Sequence, residues 1–315
     1  MTAAPTISVV VCAYTERRWD ELVDAVASVD GQTMPPLEVV VSVDHNPALR
    51  ERVARHLPAV VVTDNRQRQG LSGARNAGVA VARGDVVAFL DDDAIAAPDW
   101  LERLAAGYGD SDVLGVGGAI EPMWSTGRPR CFPEEFDWVI GCTYRGMPER
   151  PAAVRNLIGA NMSYRRTVLN TVGGFRCDIG RVGTRPLGCE ETELCIRSRR
   201  RWPNGSFLYD PSARVRHRVP ASRANWRYFH ARCYAEGISK ALVARACDVR
   251  SGLASERTYT MRILPRGMAR GVVEALAHRD PAGLGRSAMI ATGLAVTTAG
   301  YLVGTASRYD EVNGR

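Results

Sequence analysis

The chain has 315 residues, 45% hydrophobic and 24% charged, the balance of a folded globular protein. That composition excludes a disordered chain, a collagen-like chain and a multi-pass membrane protein. The formal net charge of +7 rests on 40 Arg and a single Lys, Lys240, a bias with no folding rationale that matches the coding habit of a GC-rich bacterium.

The charge is unevenly placed. Residues 1–195 hold 20 basic and 26 acidic side chains, whereas residues 196–315 hold 21 and 8. Eight cysteines are scattered with no C-x-x-C pair, which argues against a zinc site. Scattered thiols, with no basic-then-apolar leader in the sequence given, predict a reducing, cytoplasmic setting.

The elements follow in an α/β rhythm. Ile7–Val11 is a β-branched apolar run typical of a buried strand, and a helix follows over Glu21–Val29. Leu37–Val43 reads as the second strand, Ala48–Leu57 as a helix and Val60–Thr63 as the third strand. A helix over Ser72–Ala82 leads into a fourth strand at Val86–Leu90. Strand–helix alternation at this spacing predicts a parallel sheet with right-handed crossovers and a ligand crevice at the carboxyl ends of the strands. The first strand runs into Ala13-Tyr14-Thr15-Glu16, the second into Asp44 and the fourth into Asp91-Asp92-Asp93. No G-x-G-x-x-G follows the first strand and no G-x-x-x-x-G-K-[ST] occurs, so neither a dinucleotide fingerprint nor a P-loop is present.

Extended residues i and i+2 share a face, so Asp91 and Asp93 can meet one site while Asp92 points aside. Paired carboxylates suit a hard divalent cation, Mg²⁺ or Mn²⁺; the competing reading is an acidic turn. Glu190-Glu191-Thr192-Glu193 reads either as helix-start charge or as the source of a general base. His217 shares a strand face with Val215, and is either structural or an additional metal ligand. The aromatic stretch 121–155 serves either packing or sugar stacking, with Trp124 and Trp138 the candidates for stacking. Arg181 and Arg185, in a Gly- and Pro-rich segment read as a mobile lid, are candidates to meet an acidic group.

Together these segments resemble the family 2 glycosyltransferases. Gly70-Leu-Ser-Gly-Ala-Arg75-Asn76-Ala-Gly78 is similar to the family's G-L-S-x-A-R-N-x-G stretch, and Phe89-Leu-Asp91-Asp92-Asp93 to its D-x-D motif. Gly159–Arg166, which contains Asn161, and Val172–Phe175 resemble its acceptor-side segment. Cys189-Glu190-Glu191-Thr-Glu193-Leu resembles its E-D-x-[DE]-L motif, and Tyr209 to His217 its closing strand.

The resemblance implies a GT-A type α/β fold, a mostly parallel twisted sheet between helices, over residues 1–220. Residues 1–110 would be the nucleotide-binding half and 111–220 the acceptor half, with a basic helical extension at 221–315. It further implies an inverting, metal-dependent transfer from a nucleotide sugar, in this family most often UDP-linked. Ala13, Tyr14, Glu16, Asp44, Arg75, Asp91 and Asp92 would bind the donor. Asp93, Asp91 and His217 would hold Mn²⁺ or Mg²⁺, and Glu191 or Glu190 would be the base. Trp124, Trp138, Asn161, Arg181 and Arg185 would face the acceptor.

Residues 221–278 read as Arg-rich helices, and 287–307 is a 21-residue run without charge, long enough to span a bilayer, lie on it, or pack as a helix. Residues 228–240 are similar to glycosyltransferases that extend lipid-linked sugars, including glucuronosyltransferases, which implies a glycan or polyprenyl-phosphate-linked acceptor. With the basic flank, this predicts a cytoplasmic enzyme peripheral on the anionic inner face of the cell membrane. The alternatives are a nucleotidyltransferase on a similar sheet, or a nucleic-acid-binding protein using the Arg- and aromatic-rich C-terminal part. The confinement of excess charge to that part argues against the latter.

Overall fold

The computed structural model describes residues 4–181, 187–247 and 257–306. Two compact units divide the chain, and the division is not linear in sequence. One comprises Met1–Glu121, Pro148–Arg185 and Glu190–His217; the other comprises Pro122–Met147, Pro186–Cys189 and Arg218–Arg315.

The first unit begins as the apolar runs predict. Strand β1 (Ile7–Ala13) pairs in parallel with β2 (Glu38–Val43) and with β4 (Val86–Asp91), and β2 pairs in parallel with β3 (Val61–Asp64). Helices α1 (Trp19–Asp30), α2 (Pro47–His56) and α3 (Leu71–Val81) connect them. Val10, Val40 and Val87 are fully buried, as expected of strands covered on both faces. Beyond β4 the sheet turns antiparallel. Strand β8 (Asn161–Arg165) lies against β4, β6 (Val113–Trp124) against β8, and β9 (Ser206–Val219) against both β5 (Ala94–Ala96) and β7 (Ala152–Val154). The full order is β3-β2-β1-β4-β8-β6-β9-β5, with β7 on β9.

Two glycines set how α3 starts and packs. Gly70 takes φ 136°, open only to glycine, and lets the chain swing into the helix. Gly78 lets α3 rest on β1, because a Cβ there would overlap the Val10 side chain. Asn76, in the same helix, clamps the later Gly-Gly-Phe turn: its Nδ2 donates to Phe175 O (2.8 Å) and its Oδ1 accepts from Phe175 N–H (2.8 Å). Two sequence motifs 99 residues apart are thus one structural joint.

The second unit is built on α7 (Trp226–Cys247), α8 (Leu264–Ala277) and α9 (Ala282–Ala306). Helices α7 and α9 approach at Gly237 and Gly300, where a Cβ would strike the Thr297 and Tyr234 carbonyls. Phe132, Phe136 and Phe229 are buried, with ring centroids of the first two 5.7 and 5.3 Å from Phe229. Helix α9 is long and apolar enough to cross a membrane, with mean hydropathy 1.4.

Candidate active site

The carboxyl ends of the parallel strands lie side by side: Cys12 is paired with Asp91, and Ala13 with Val43, the residue before Asp44. Asp44 is buried and both its oxygens are in use. Oδ1 accepts from Asn65 Nδ2 (2.6 Å) and stands 2.9 Å from His45 Nδ1; Oδ2 accepts from the Gly70 N–H (3.0 Å). It therefore ties the end of β2 to the loop that launches α3. Tyr14, the residue after β1, is 46% exposed, with the Arg18 guanidinium 5.7 Å from its ring centroid; Ala13 is buried and Glu16 lies on the turn before α1.

The acidic run crosses from β4 into β5. Asp91, Asp93 and His217 offer ligand atoms within 4.8 Å of one another. β9 delivers His217 opposite Ala94, and its Nε2 lies 3.1 Å from Asp93 Oδ1. Asp92 turns aside to Arg18, whose Nη1 donates to Asp92 Oδ1 (2.8 Å) and lies 3.1 Å from Asp93 Oδ2. Burial first, then the Asp93 charge, push the Asp92 carboxyl up to about 7, against the pull of Arg18. Two carboxylates and an imidazole offer oxygen and nitrogen donors that could hold a metal ion.

Arg75, 2% exposed on α3, links this cluster to the second acidic motif. Its Nη1 donates to Glu190 Oε1 at 2.7 Å, its Nη2 donates to Gly159 O at 3.3 Å and lies 3.9 Å from Asp91 Oδ1. The guanidinium faces the Phe175 ring at 5.3 Å. Burial opposes its charge, yet Glu190 and Asp91 hold its pKa above the ordinary arginine value. Glu190 and Glu191 open α6 (Glu190–Arg201); Glu190 is 4% exposed, and Glu191 is less deeply buried.

Other expectations fare differently. Asn161 is wholly buried and its amide is spent: Trp100 Nε1 donates to its Oδ1 (2.8 Å), and its Nδ2 donates to Ala119 O (2.9 Å) and Ala213 O (2.8 Å). It joins three segments of the sheet, with both Nδ2 hydrogens committed to main-chain carbonyls. Trp138 donates from Nε1 to Tyr259 Oη (3.0 Å) and packs on Phe136, and Trp124 meets Phe132 edge-on; both are half-buried beside aromatic rings of the second unit. Arg181 lends its carbonyl to the Leu71 N–H (3.0 Å), while Arg185 lies outside the described residues. Sequence reasoning missed Arg18; the available signal was a basic residue on the first turn after β1, at the mouth of the predicted crevice.

Residues 8–173, more than half of the chain, match the family model described as Glycosyl transferase family 2. The chain belongs to this family. A glucosyl-dolichyl phosphate glucuronosyltransferase of Haloferax volcanii is 38% identical over 238 residues, covering 74% of this chain and 76% of that protein. The succinoglycan biosynthesis protein ExoM of Rhizobium meliloti is 24% identical, over 73% of this chain and 72% of that one. Among solved structures, the mannosyltransferase PcManGT from Pyrobaculum calidifontis, in complex with GDP-Man and Mn²⁺, superposes with TM-score 0.58 at 19% identity, over 97% of this chain and 87% of that one. GalNAc-T7 with UDP, GalNAc and Mn²⁺ gives TM-score 0.53 at 19% identity, over 75% of this chain and 48% of that one. The glycosyltransferase thus has the GT-A fold, with a helical C-terminal part. The expectation of a bacterial source draws no support from these relatives.

Proposed function

We propose that this glycosyltransferase moves a sugar, with inversion, from a UDP-sugar to a hydroxyl of a lipid-linked acceptor. The observation that carries the reading is the joining of the Asp91–Asp93–His217 cluster to Glu190, the neighbour of Glu191 at the start of α6, through one buried arginine, Arg75. The similarity to a glucuronosyltransferase acting on a glucosyl-dolichyl phosphate supports a lipid-linked acceptor and an acidic sugar. Residues 1–220 would carry the chemistry and 221–315 the contact with lipid.

Tyr14 and Asp44 would frame the nucleoside, and Asp91, Asp93 and His217 would hold Mn²⁺ in preference to Mg²⁺. The ion, when bound, neutralises the diphosphate as its charge grows. Glu191 is the base: Glu190 is neutralised by Arg75 and buried, which leaves its neighbour to work. The acceptor oxygen forms its bond to the anomeric carbon while the bond from that carbon to the diphosphate breaks. The hydroxyl proton passes to the Glu191 carboxylate and the nucleoside diphosphate departs. Arg75 positions Glu190, and so the first turn of α6, against the donor side.

The deciding experiment is a thermal-shift panel of UDP- and GDP-sugars on the full chain, with and without Mn²⁺, followed by transfer to a polyprenyl-phosphate sugar. Stabilisation by a UDP-sugar that requires Mn²⁺ is expected, because a ligand bound to the native state raises its stability by mass action. Stabilisation only by a GDP-sugar, or transfer that survives Asp93→Ala, refutes the reading. For the membrane, the full chain is expected in the membrane fraction and to be released by alkaline carbonate. Retention after that treatment would mean that α9 spans the bilayer.

A further inference from the structure

We propose that Arg18 is the resident counter-cation of the Asp92–Asp93 pair and that a divalent ion entering the site drives it off. The inference rests on the metal reading above. Three consecutive aspartates gather at the end of β4, and two of them share one guanidinium nitrogen, Nη1 of Arg18, at 2.8 and 3.1 Å. Asp93 is the common member: its Oδ1 faces His217 and its Oδ2 faces Arg18. A metal bound by Asp91, Asp93 and His217 must take up Asp93 oxygen and His217 nitrogen now directed at each other and at Arg18. A divalent charge seated there would stand a few ångströms from the guanidinium, where like charges repel.

Arg18 is built to leave. It belongs to the short turn Glu16–Arg18 rather than to the sheet, and its side chain is 24% exposed, against 6% and 7% for its two partners. Its guanidinium already lies 5.7 Å from the centroid of the exposed Tyr14 ring, a cation–π contact that does not depend on the two carboxylates. From there the freed cation faces the mouth of the crevice, where a diphosphate would arrive. The exchange makes binding of metal and of nucleoside diphosphate mutually reinforcing: the ion alone must break the Arg18 pairs, and the diphosphate gives the released guanidinium a new partner.

The test reads Arg18 directly. The full wild-type chain is treated with phenylglyoxal, in chelator or in Mn²⁺ alone, and labelling is quantified by peptide mass spectrometry. Mn²⁺ should speed labelling of Arg18 several-fold and leave exposed Arg103 unchanged. In parallel, calorimetry should show Mn²⁺ binding several-fold tighter to Arg18→Met than to wild type, with Arg18→Lys close to wild type. Mn²⁺ binding to wild type with Arg18 labelling unchanged or slowed overturns the inference and leaves the metal site standing, as does equal affinity in wild type and Arg18→Met. No Mn²⁺ binding to either protein removes the metal site and the inference together.

Discussion

Arg75→Met tests the joint between the donor and base sides without any assay of transfer. Arg75 and Glu190 are 2% and 4% exposed, and their charged atoms are 2.7 Å apart. With charge centres about 4 Å apart and an effective dielectric near 20, their attraction is about 4 kcal/mol. Methionine preserves much of the volume against Phe175 and Phe89 but leaves the Glu190 carboxylate buried without its counter-charge. Removing one partner of a buried pair costs about 3–5 kcal/mol. Because two units divide the chain, a single unfolding midpoint is a poor reporter. Native-state hydrogen exchange of the β1 and β4 amides reads the first unit alone. Their protection is expected to fall by about 3–5 kcal/mol in Arg75→Met, and the double variant Arg75→Met/Glu190→Gln is expected to recover more than half of it. A loss below about 1 kcal/mol would refute the reasoning, because so small an effect belongs to screened surface pairs. So would a double variant no more stable than the single.

Other outcomes follow from neighbouring features. Glu191→Gln should lower kcat about 10²- to 10⁴-fold while leaving first-unit protection near wild type, whereas Glu190→Gln should lose protection as well as rate; steady-state transfer and hydrogen exchange of the β1 and β4 amides separate them. Asp137 is pushed up to about 6 by burial, against the pull of its Arg128 partner. Its folded-state pKa lies above the unfolded value of about 3.9. Its contribution is therefore present below about pH 4 and lost as pH rises through about 6. Native-state hydrogen-exchange protection of the α7 amides, corrected for intrinsic rates, should fall across that window in wild type but not in Asp137→Asn; parallel curves would contradict it. Gly118→Ala would press a methyl into the Ala213 carbonyl on the neighbouring strand, so it should cost more than about 2 kcal/mol of first-unit protection.

Much of the first unit was legible because a strand buried on both faces must be apolar until it ends. Ile7–Val11, Leu37–Val43 and Val86–Leu90 each stop at a polar group, and those stops are Tyr14, Asp44 and Asp91 at one end of the sheet. What was illegible depended on partners far away in sequence. Nothing in the sequence around Asn161 announces its side-chain bonds to Trp100, Ala119 and Ala213. Arg18 reads like surface charge, and only the fold brings it 74 residues along the chain to Asp92. The uncharged run at 287–307 is ambiguous for a related reason. Its glycines are spaced to let α7 approach closely, and the same composition that permits this packing also lowers the cost of entering lipid. Apolar length measures what a helix can tolerate, whereas the carbonyls its glycines touch identify the partner it has. For α9 those partners are α7 at Gly300 and Gly304 and α8 at Gly283, which leaves Leu284 and Leu302, 53% and 60% exposed, as the apolar side chains any lipid would meet.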